Sequence, residues 1–305
     1  MDTWVDVNGM RIHCLQAGGA GARPGDGSEP PLLMVHGWTG AAADWAPLLR
    51  ALPGGTREGE SGTREAESGT REAESGTREG GRRAIAVDLP GCGLSDKPDA
   101  PYDVAWFLDF LHAFCAAIGE PTVVLAGHSM GGQIAVHFTA RYPSMVEKLI
   151  LIDPYGLKGE GGRRGPLARL GPVVNVAFSL NHRRVIELTI RRNILHSPDP
   201  ELLRAAVDST ASSILGRDGA RAVARVTRRV IGRAEVDALL PGISQPTLLL
   251  WGENDRLLPP RWADAFAALL PRATVQKIPA AGHMPMFERP REVAEKITRF
   301  LGDPG

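Results

Sequence analysis

The sequence has few of the features that mark secreted, metal-binding or membrane-spanning proteins. Its 305 residues include only three cysteines, Cys14, Cys92 and Cys115, which are odd in number and have no Cys-x-x-Cys spacing. We therefore expect neither a disulfide framework nor a zinc site. The chain has no basic start followed by an apolar stretch, and no run approaches the roughly 18 apolar residues that a transmembrane segment requires. These absences predict a cytoplasmic protein with reduced thiols and without a metal or cofactor.

Charge of one sign is also missing. Lysine and arginine together number 35, as do aspartate and glutamate, so the formal net charge is zero. This balance gives no sign of binding to nucleic acid or to a membrane surface. Hydrophobic residues make up 43% and charged residues 23% of the chain, as in soluble globular proteins. The length suits one large domain with an insertion, while the oligomeric state is left open.

Short apolar runs alternate with helical patterns along most of the chain. Continuous runs such as 32–35 and 149–153 are typical of strands buried on both faces, whereas 102–118 carries apolar residues at helical spacing. Near the start, Asn8-Gly9 separates two short strands and suits the tight turn of a hairpin. Further strands are predicted at 84–88, 122–126, 247–251 and 274–278, and further helices at 42–52, 130–142, 261–270 and 291–301. The pattern predicts an α/β fold with a mostly parallel sheet.

Residues 155–242 interrupt this alternation. They contain no clear strand and carry helical patterns around 166–179, 183–194, 200–214 and 219–231. We predict a helical cap inserted between two parts of the core, 1–154 and 243–305. From residue 156 to 243 there are 15 basic and 8 acidic side chains. Solvated helix faces account for this surplus most simply; the alternative is a cap that attracts anionic substrates or anionic lipids.

A second interruption is a seven-residue repeat over residues 55–79. Seven is the coiled-coil period, but no position of the unit carries a large apolar residue, so a coiled coil would have nothing to bury. Balanced charges together with glycine, serine and threonine favour a solvated, largely disordered tract. We interpret it as an insert without a function, with an interaction role as the alternative.

The strongest chemical motif is Gly127-His128-Ser129-Met130-Gly131, which lies between an apolar strand and a helical pattern. In that context Gly-x-Ser-x-Gly is typical of a nucleophile elbow, a sharp turn that exposes the serine hydroxyl. The turn requires small neighbours, which accounts for Gly127 and Gly131. The backbone N–H of Met130 would lie at a helix N-terminus, where it can stabilise an oxyanion. We predict Ser129 as the nucleophile.

A serine hydroxyl needs an adjacent base. His283 is the best of the eight histidines, because it follows the last predicted strand and should lie at the same sheet edge as Ser129. His36 and His128 belong to motifs in which the backbone matters more than the ring. The others fit structural positions in the hairpin, the helices or the cap: His13, His112, His137, His182 and His196.

The base in turn needs a carboxylate to orient it. Asp255 follows the penultimate strand and Asp153 ends an earlier one, just before the predicted cap. We favour Asp255, because an order of serine, acid and histidine with the acid one strand before the base is expected here. Asp153 is the alternative acid and would otherwise anchor the cap by hydrogen bonding. Glu253 is a weaker third candidate.

A second oxyanion donor is expected in the loop after the strand ending at Val35. The sequence His36-Gly37-Trp38 fits, since Gly37 allows the backbone to turn and the N–H of Trp38 can then point into the site. With Met130, this gives two candidate backbone donors.

Together these segments resemble the α/β-hydrolase superfamily, over nearly the whole chain apart from the repeat. The resemblance rests on residues 36–38, 88–95, 127–132, 251–255 and 282–283. It implies an eight-stranded, mostly parallel sheet whose first strands form an antiparallel hairpin, with the helical cap after the sixth strand. The chain is most similar to capped carboxylesterases, monoacylglycerol lipase-like enzymes and carbon–carbon bond hydrolases. Ser129 departs from haloalkane dehalogenases and epoxide hydrolases, which carry aspartate at the elbow.

The predicted activity is hydrolysis of a small-molecule carboxylic ester through an acyl-enzyme. Cleavage of a carbon–carbon bond in a vinylogous diketone by the same residues is the alternative, and a cofactor-free perhydrolase is a weaker one. A binding protein that retains the pocket as a receptor is a different class of function. A complete set of Ser129, Asp255 and His283 argues against it, because a receptor needs no nucleophile.

Overall fold

The strands form one sheet with the predicted hairpin at its start. A computed structural model describes residues 1–19, 29–54, 81–158, 183–231, 233 and 235–303. The repeat at 55–79 and the helix predicted at 166–179 therefore lie outside the described residues. The strands are β1 (Asp2–Val7), β2 (Met10–Ala17), β3 (Leu32–Val35), β4 (Ala84–Val87), β5 (Val123–His128), β6 (Val146–Ile152), β7 (Thr247–Gly252) and β8 (Ala273–Ile278).

The eight strands lie in the order β1-β2-β4-β3-β5-β6-β7-β8. The β1–β2 and β2–β4 pairs are antiparallel, and every other pair is parallel. Asn8 and Gly9 have φ values of 54° and 78° at the turn between β1 and β2, as a tight hairpin requires. The predicted fold class, an eight-stranded and mostly parallel sheet, is confirmed.

Helices cover both faces of the sheet. In the described residues they are α1 (Ala46–Ala51), α2 (Val104–Ala117), α3 (Met130–Arg141), α4 (Arg183–Thr189), α5 (Pro200–Ile214), α6 (Arg217–Arg229), α7 (Arg261–Leu269), α8 (Pro285–Glu288) and α9 (Pro290–Gly302). A 3₁₀ turn, Ala42–Trp45, precedes α1. The predicted helix 42–52 divides there because Pro47 has no N–H to donate to the carbonyl of Ala43.

The central strands are buried on both faces, which explains their uninterrupted apolar sequences. Alternate residues point to opposite sides: Leu33 and Val35 of β3 pack in the core that includes α2, α3 and α7, whereas Leu32 and Met34 pack in the core that includes α1 and α9. The same alternation continues in β5 and β6.

Helices α4, α5 and α6, here called the cap helices, lie between β6 and β7 in the chain. They correspond to three of the four predicted cap helices, and the first of them continues into a π-helical turn, Ile190–Ile194. The predicted cap boundaries at 155 and 242 stay a prediction. Two buried serines of α5 join the cap helices to the core: Ser209 Oγ donates to Asp44 Oδ1 at 2.6 Å, and Ser213 Oγ donates to the carbonyl of Gly40 at 2.6 Å.

The described residues on either side of the repeat lie next to each other. A Cβ placed on Gly54 would lie 3.0 Å from the backbone nitrogen of Gly81, and the carbonyl of Gly81 accepts from Gly19 N–H at 2.9 Å. These flanks lie near the start of β4, at the edge of the sheet away from Ser129. No helix in the described parts of the chain is long and apolar enough to span a bilayer.

A buried histidine ties the hairpin to the segment after β4. His13 is 4% exposed; its Nδ1 donates to Asp88 Oδ2 at 2.8 Å and its Nε2 to Asp2 Oδ1 at 3.0 Å. The hydrogen bond to Asp88 outweighs burial and raises the pKa of His13. Burial alone would raise the pKa of Asp88, but the hydrogen bond from His13 and those from the backbone N–H groups of Ala42 and Leu94 lower it.

This ion pair predicts a pH-dependent contribution to stability. A histidine whose pKa is raised by folding stabilises the native state below its unfolded pKa, and this stabilisation is lost as the pH rises through the folded pKa. We expect wild type to exceed His13→Gln in free energy of unfolding most strongly near about pH 5.5, and the difference to shrink by about pH 9. Urea unfolding of both proteins at a series of pH values measures this. A difference that stays constant with pH would contradict a protonated His13.

Candidate active site

Ser129 lies at the turn from β5 into α3 with φ 52° and ψ −116°, a conformation that costs free energy for a residue with a side chain. Backbone hydrogen bonds hold it in place. Its N–H donates to the carbonyl of Ile152 at 3.0 Å, and its carbonyl accepts from the N–H groups of Gln133 at 3.1 Å and Tyr155 at 3.0 Å. The turn is therefore fixed from β6, from α3 and from the segment after β6.

The glycines around Ser129 are required by close packing of backbone. A Cβ on Gly127 would overlap the carbonyl oxygen of Gly131, and a Cβ on Gly131 would overlap the carbonyl oxygen of Val35. A Cβ on Gly37 would lie 3.2 Å from the Cβ of Ser129. Because two of these obstacles are backbone atoms, a larger residue cannot be accommodated by a side-chain rotation.

Three of the predicted residues meet at the carboxyl edge of the sheet. His283 Nε2 lies 3.0 Å from Ser129 Oγ, and His283 Nδ1 lies 2.6 Å from Asp255 Oδ2. All three are buried. The other oxygen of Asp255 accepts from the N–H groups of Leu257 at 2.7 Å and Leu258 at 2.8 Å. With Nδ1–H donating to Asp255, Nε2 is left as the acceptor that faces the serine hydroxyl.

Asp153, the alternative acid, lies beside this group but is not hydrogen-bonded to His283. It is fully buried with φ 41°; its Oδ1 accepts from Gly252 N–H at 3.0 Å, and its Oδ2 accepts no hydrogen bond. Burial, and then the charge of Asp255, raise the pKa of Asp153 well above its ordinary value. Burial thus favours the protonated form of Asp153, and Asp255 is the acid that is hydrogen-bonded to the imidazole.

Neither of the two other candidate acids is hydrogen-bonded to the His283 ring in the described residues. The donor to the Asp153 side chain there is Gly252, which belongs to β7 of the core. Glu253 is exposed to solvent, and its N–H donates to the carbonyl of Ile278. A position after a strand brings a carboxyl group to the correct edge of the sheet, but the neighbouring residues decide where that group points and whether it is ionised.

Asp153, Asp255 and His283 are also residue types that bind metals. One ligand atom from each lies within 4.8 Å of the other two. In a tetrahedral site with metal–ligand distances of about 2.0–2.2 Å, neighbouring ligand atoms are more than ~3 Å apart. The 2.6 Å separation of His283 Nδ1 and Asp255 Oδ2 is that of a hydrogen bond, so this cluster is better described as a histidine held by an acid.

The loop after β3 brings Trp38 to the site. The N–H of Gly40 donates to the carbonyl of Gly37 at 3.1 Å, and Thr39 has φ 63°. His36 fixes this loop, since its Nδ1 donates to the carbonyl of Gly37 at 2.8 Å and its Nε2 accepts from Leu89 N–H at 3.1 Å. Met130, the other predicted oxyanion donor, is the first residue of α3, where N–H groups have no intrahelical acceptor.

His128 supports the base through its ring, a role that the sequence did not indicate. Its Nε2 donates to the carbonyl of His283 at 2.6 Å, and the two rings lie 4.8 Å apart. Burial, and then the neighbouring His283, lower the pKa of His128 well below its ordinary value. A neutral His128 ring therefore holds the backbone of the His283 loop. His36 likewise contributes its ring, and not only its backbone, to the loop after β3.

A cavity between the core and the cap helices reaches Ser129 and His283. The core wall includes Trp38, Asp44 and Met284, and the opposite wall is largely aliphatic, formed by Val185, Ile186, Thr189, Ile190, Ile194 and Thr210. Burial raises the pKa of Asp44 despite the hydrogen bond from Ser209. The cavity thus offers few charges and a large apolar surface beside the serine.

Two acids of this region, one buried and one half-buried, were not predicted from the sequence. Asp44 meets Ser209 of the cap helices, and Glu288 accepts hydrogen bonds next to His283. No local pattern marks either residue. His283 is the histidine whose ring lies against the serine hydroxyl, and His182 lies outside the described residues.

Known proteins resemble this chain in sequence and in fold. Residues 32–296 match the family described as "Alpha/beta hydrolase family". The sequence is 24% identical over 298 residues to the sn-1-specific diacylglycerol lipase of Mus musculus, across 91% of this chain and 82% of that protein. The structure is similar to that of a membrane phospholipase A described as a bacterial virulence factor, with 28% identity, a TM-score of 0.74 and coverage of 99% of this chain and 85% of that chain.

A third similarity concerns the fold alone. The meta-cleavage product hydrolase of Pseudomonas fluorescens shares 15% identity, with a TM-score of 0.72 and coverage of 99% of this chain and 98% of that one. The family match spans most of the chain and contains every strand from β3 to β8 as well as Ser129, Asp255 and His283. This chain therefore belongs to the alpha/beta hydrolase family.

Proposed function

We propose that this protein is a serine hydrolase that cleaves carboxylic esters through an acyl-enzyme. The observation that carries the proposal is the continuous hydrogen-bonded line from Ser129 Oγ through His283 to Asp255, with distances of 3.0 and 2.6 Å. Two of these residues, Ser129 and His283, also line the cavity. Lipases and esterases among the relatives favour the ester bond.

In the first half-reaction Ser129 Oγ attacks the ester carbonyl while His283 Nε2 takes the hydroxyl proton. The imidazolium that forms is stabilised by Asp255. The carbonyl oxygen becomes an oxyanion, which accepts hydrogen bonds from the backbone N–H groups of Trp38 and Met130. His283 then gives its proton to the leaving alkoxide, and the alcohol departs, leaving the acyl group on Ser129.

The second half-reaction repeats these steps with water. His283 takes a proton from the water that attacks the acyl carbonyl, and the same two N–H groups stabilise the second oxyanion. Collapse of this intermediate breaks the bond to Ser129 Oγ, which recovers its proton from His283. The carboxylic acid is released, and no cofactor enters either half-reaction.

The cavity supports substrates with an uncharged aliphatic group. The wall opposite the core consists largely of Val185, Ile186, Ile190 and Ile194. Burial of apolar surface against these side chains stabilises a bound aliphatic group, whereas they cannot pair with a charge. We therefore expect the protein to prefer medium-length aliphatic acyl or alkyl groups over charged ones.

Carbon–carbon bond cleavage is the second candidate. The fold that this chain shares with the meta-cleavage product hydrolase favours this reaction. The same serine, histidine and aspartate would carry it out. Activity on a vinylogous diketone without activity on simple esters would select it. A protein that neither turns over esters nor reacts with a fluorophosphonate at Ser129 would instead be a receptor.

The first prediction concerns the nucleophile. Ser129→Ala removes the attacking oxygen, so we expect kcat on p-nitrophenyl esters to fall by about 10⁴-fold or more, with loss of fluorophosphonate labelling. Ser144→Ala is a matched control, because Ser144 is exposed in the turn after α3; it should retain full activity. Equal turnover by wild type and Ser129→Ala would refute the proposed function.

The second prediction separates the two aspartates. Asp255→Asn removes the carboxylate charge and favours the wrong tautomer of His283, so kcat should fall by about 10⁴-fold. A protonated carboxyl group and an amide each have a donor group on one terminal atom and an acceptor oxygen on the other, so Asp153→Asn should retain kcat/KM within about tenfold. The two isosteric variants control for each other. A severe loss in Asp153→Asn with a mild one in Asp255→Asn would reverse the assignment of the acid.

A further inference from the structure

The end of the π-helical turn lies directly against the loop that carries His283. The N–H of His283 donates to the carbonyl of Ile194 at 2.7 Å. Gly282 makes this approach possible, since a Cβ there would overlap the same carbonyl oxygen. Ile194 also lines the cavity. A residue that lines the cavity is therefore hydrogen-bonded to the backbone of the base.

A single carboxylate strengthens this junction from the other side. Glu288 Oε1 accepts from His196 N–H at 2.6 Å, and Glu288 Oε2 accepts from Gly282 N–H at 2.6 Å. One donor, Gly282, directly precedes His283 in the chain. The other donor, His196, lies two residues after Ile194. The backbone of Glu288 is itself fixed, because its N–H donates to the carbonyl of Met284 at 2.9 Å.

Building on the proposed function, we propose that Glu288 is a positioning residue that couples the segment Ile194–His196 to the base His283. Both carboxylate oxygens are used, one on each side of the junction, so neither segment can shift without stretching a hydrogen bond to Glu288. A shift of the segment Ile194–His196 would therefore also move the loop that carries the imidazole of His283. The distance from His283 Nε2 to Ser129 Oγ depends on this coupling, and small errors in that distance are costly in rate.

Glu288→Gln tests the coupling with little change in volume. Its amide nitrogen donates and cannot accept, so one of the two N–H groups loses its acceptor and faces another donor. Glu288→Ala removes both acceptors. Glu295→Gln is the matched control, because Glu295 is exposed on α9. A second pair isolates one backbone donor: His196→Pro removes the N–H that Glu288 accepts, and His196→Ala keeps it.

The proline substitution suits this position locally. Leu195 already has φ −92° and ψ 146°, the extended conformation that a residue before proline prefers. The proline Cδ takes the place of the N–H hydrogen, so Glu288 Oε1, which lies 2.6 Å from His196 N, must withdraw from it. His196→Pro therefore breaks the side of the junction at residue 196 without strain at Leu195, whereas His196→Ala leaves it intact.

Initial rates on a p-nitrophenyl ester are divided by the number of sites titrated with a fluorophosphonate. We expect kcat per titrated site to fall about tenfold or more in Glu288→Gln and in His196→Pro, with KM changed by less than about threefold. Glu295→Gln and His196→Ala should stay within about twofold of wild type. If Glu288→Gln loses thermal stability or titratable sites while kcat per site equals that of Glu295→Gln, Glu288 is merely structural and the inference is overturned.

A spectroscopic readout does not require turnover. The Nδ1–H proton in the hydrogen bond from His283 to Asp255 should give a downfield proton resonance, which we expect to shift or broaden in Glu288→Gln and to stay unchanged in Glu295→Gln. An unchanged resonance in Glu288→Gln would contradict the coupling. Failure of wild type to hydrolyse esters or to be labelled would instead reject the proposed function, while the resonance still tests the coupling.

Discussion

The backbone at Ser129 has a conformation that a residue with a side chain rarely adopts, and the other groups of the site are positioned relative to it. The strain is compensated by three backbone hydrogen bonds from β6, α3 and the segment after β6. Close approach of Gly131 to Val35 and of Gly127 to Gly131 then locks the turn against the neighbouring strand. A hydroxyl on such a turn cannot move away from the sheet edge, so the base must be brought to it.

The parallel strands bring the base and its acid to that edge. Burial then raises the pKa of the neighbouring aspartate, Asp153, which is not hydrogen-bonded to the base. Asp153 and Asp255 follow adjacent strands and cannot both be charged at such a short separation inside the protein. Asp255 accepts two backbone N–H groups and the imidazole, whereas Asp153 accepts one N–H. Asp255 therefore has the donors that a carboxylate needs, whereas Asp153, whose pKa is raised by burial, lies beside it without a hydrogen bond to His283.

The sequence predicted what depends on local pattern and on sheet topology. Doubly buried strands give continuous apolar runs, and a serine between small residues marks the elbow, so the strands and the three meeting residues were predictable. Pro47 limits α1, and the four-residue helix α8 is too short to show periodicity. Partners such as Asp44 with Ser209 and Glu288 with His196, separated by 165 and 92 residues, leave no local signal.

The contact between the cap helices and the core relies on directional interactions as well as on packing. Apolar packing alone would let the helices slide, because the hydrophobic effect has no preferred direction. Hydrogen bonds from Ser209 and Ser213 instead fix α5, and the hydrogen bond from His196 to Glu288 fixes the segment before α5, at defined points of the core. The aliphatic side chains that face the cavity take no part in these bonds. Substitutions among Val185, Ile186 and Ile190 can therefore change which acyl or alkyl group fits, while the distance between serine and histidine is kept by other atoms.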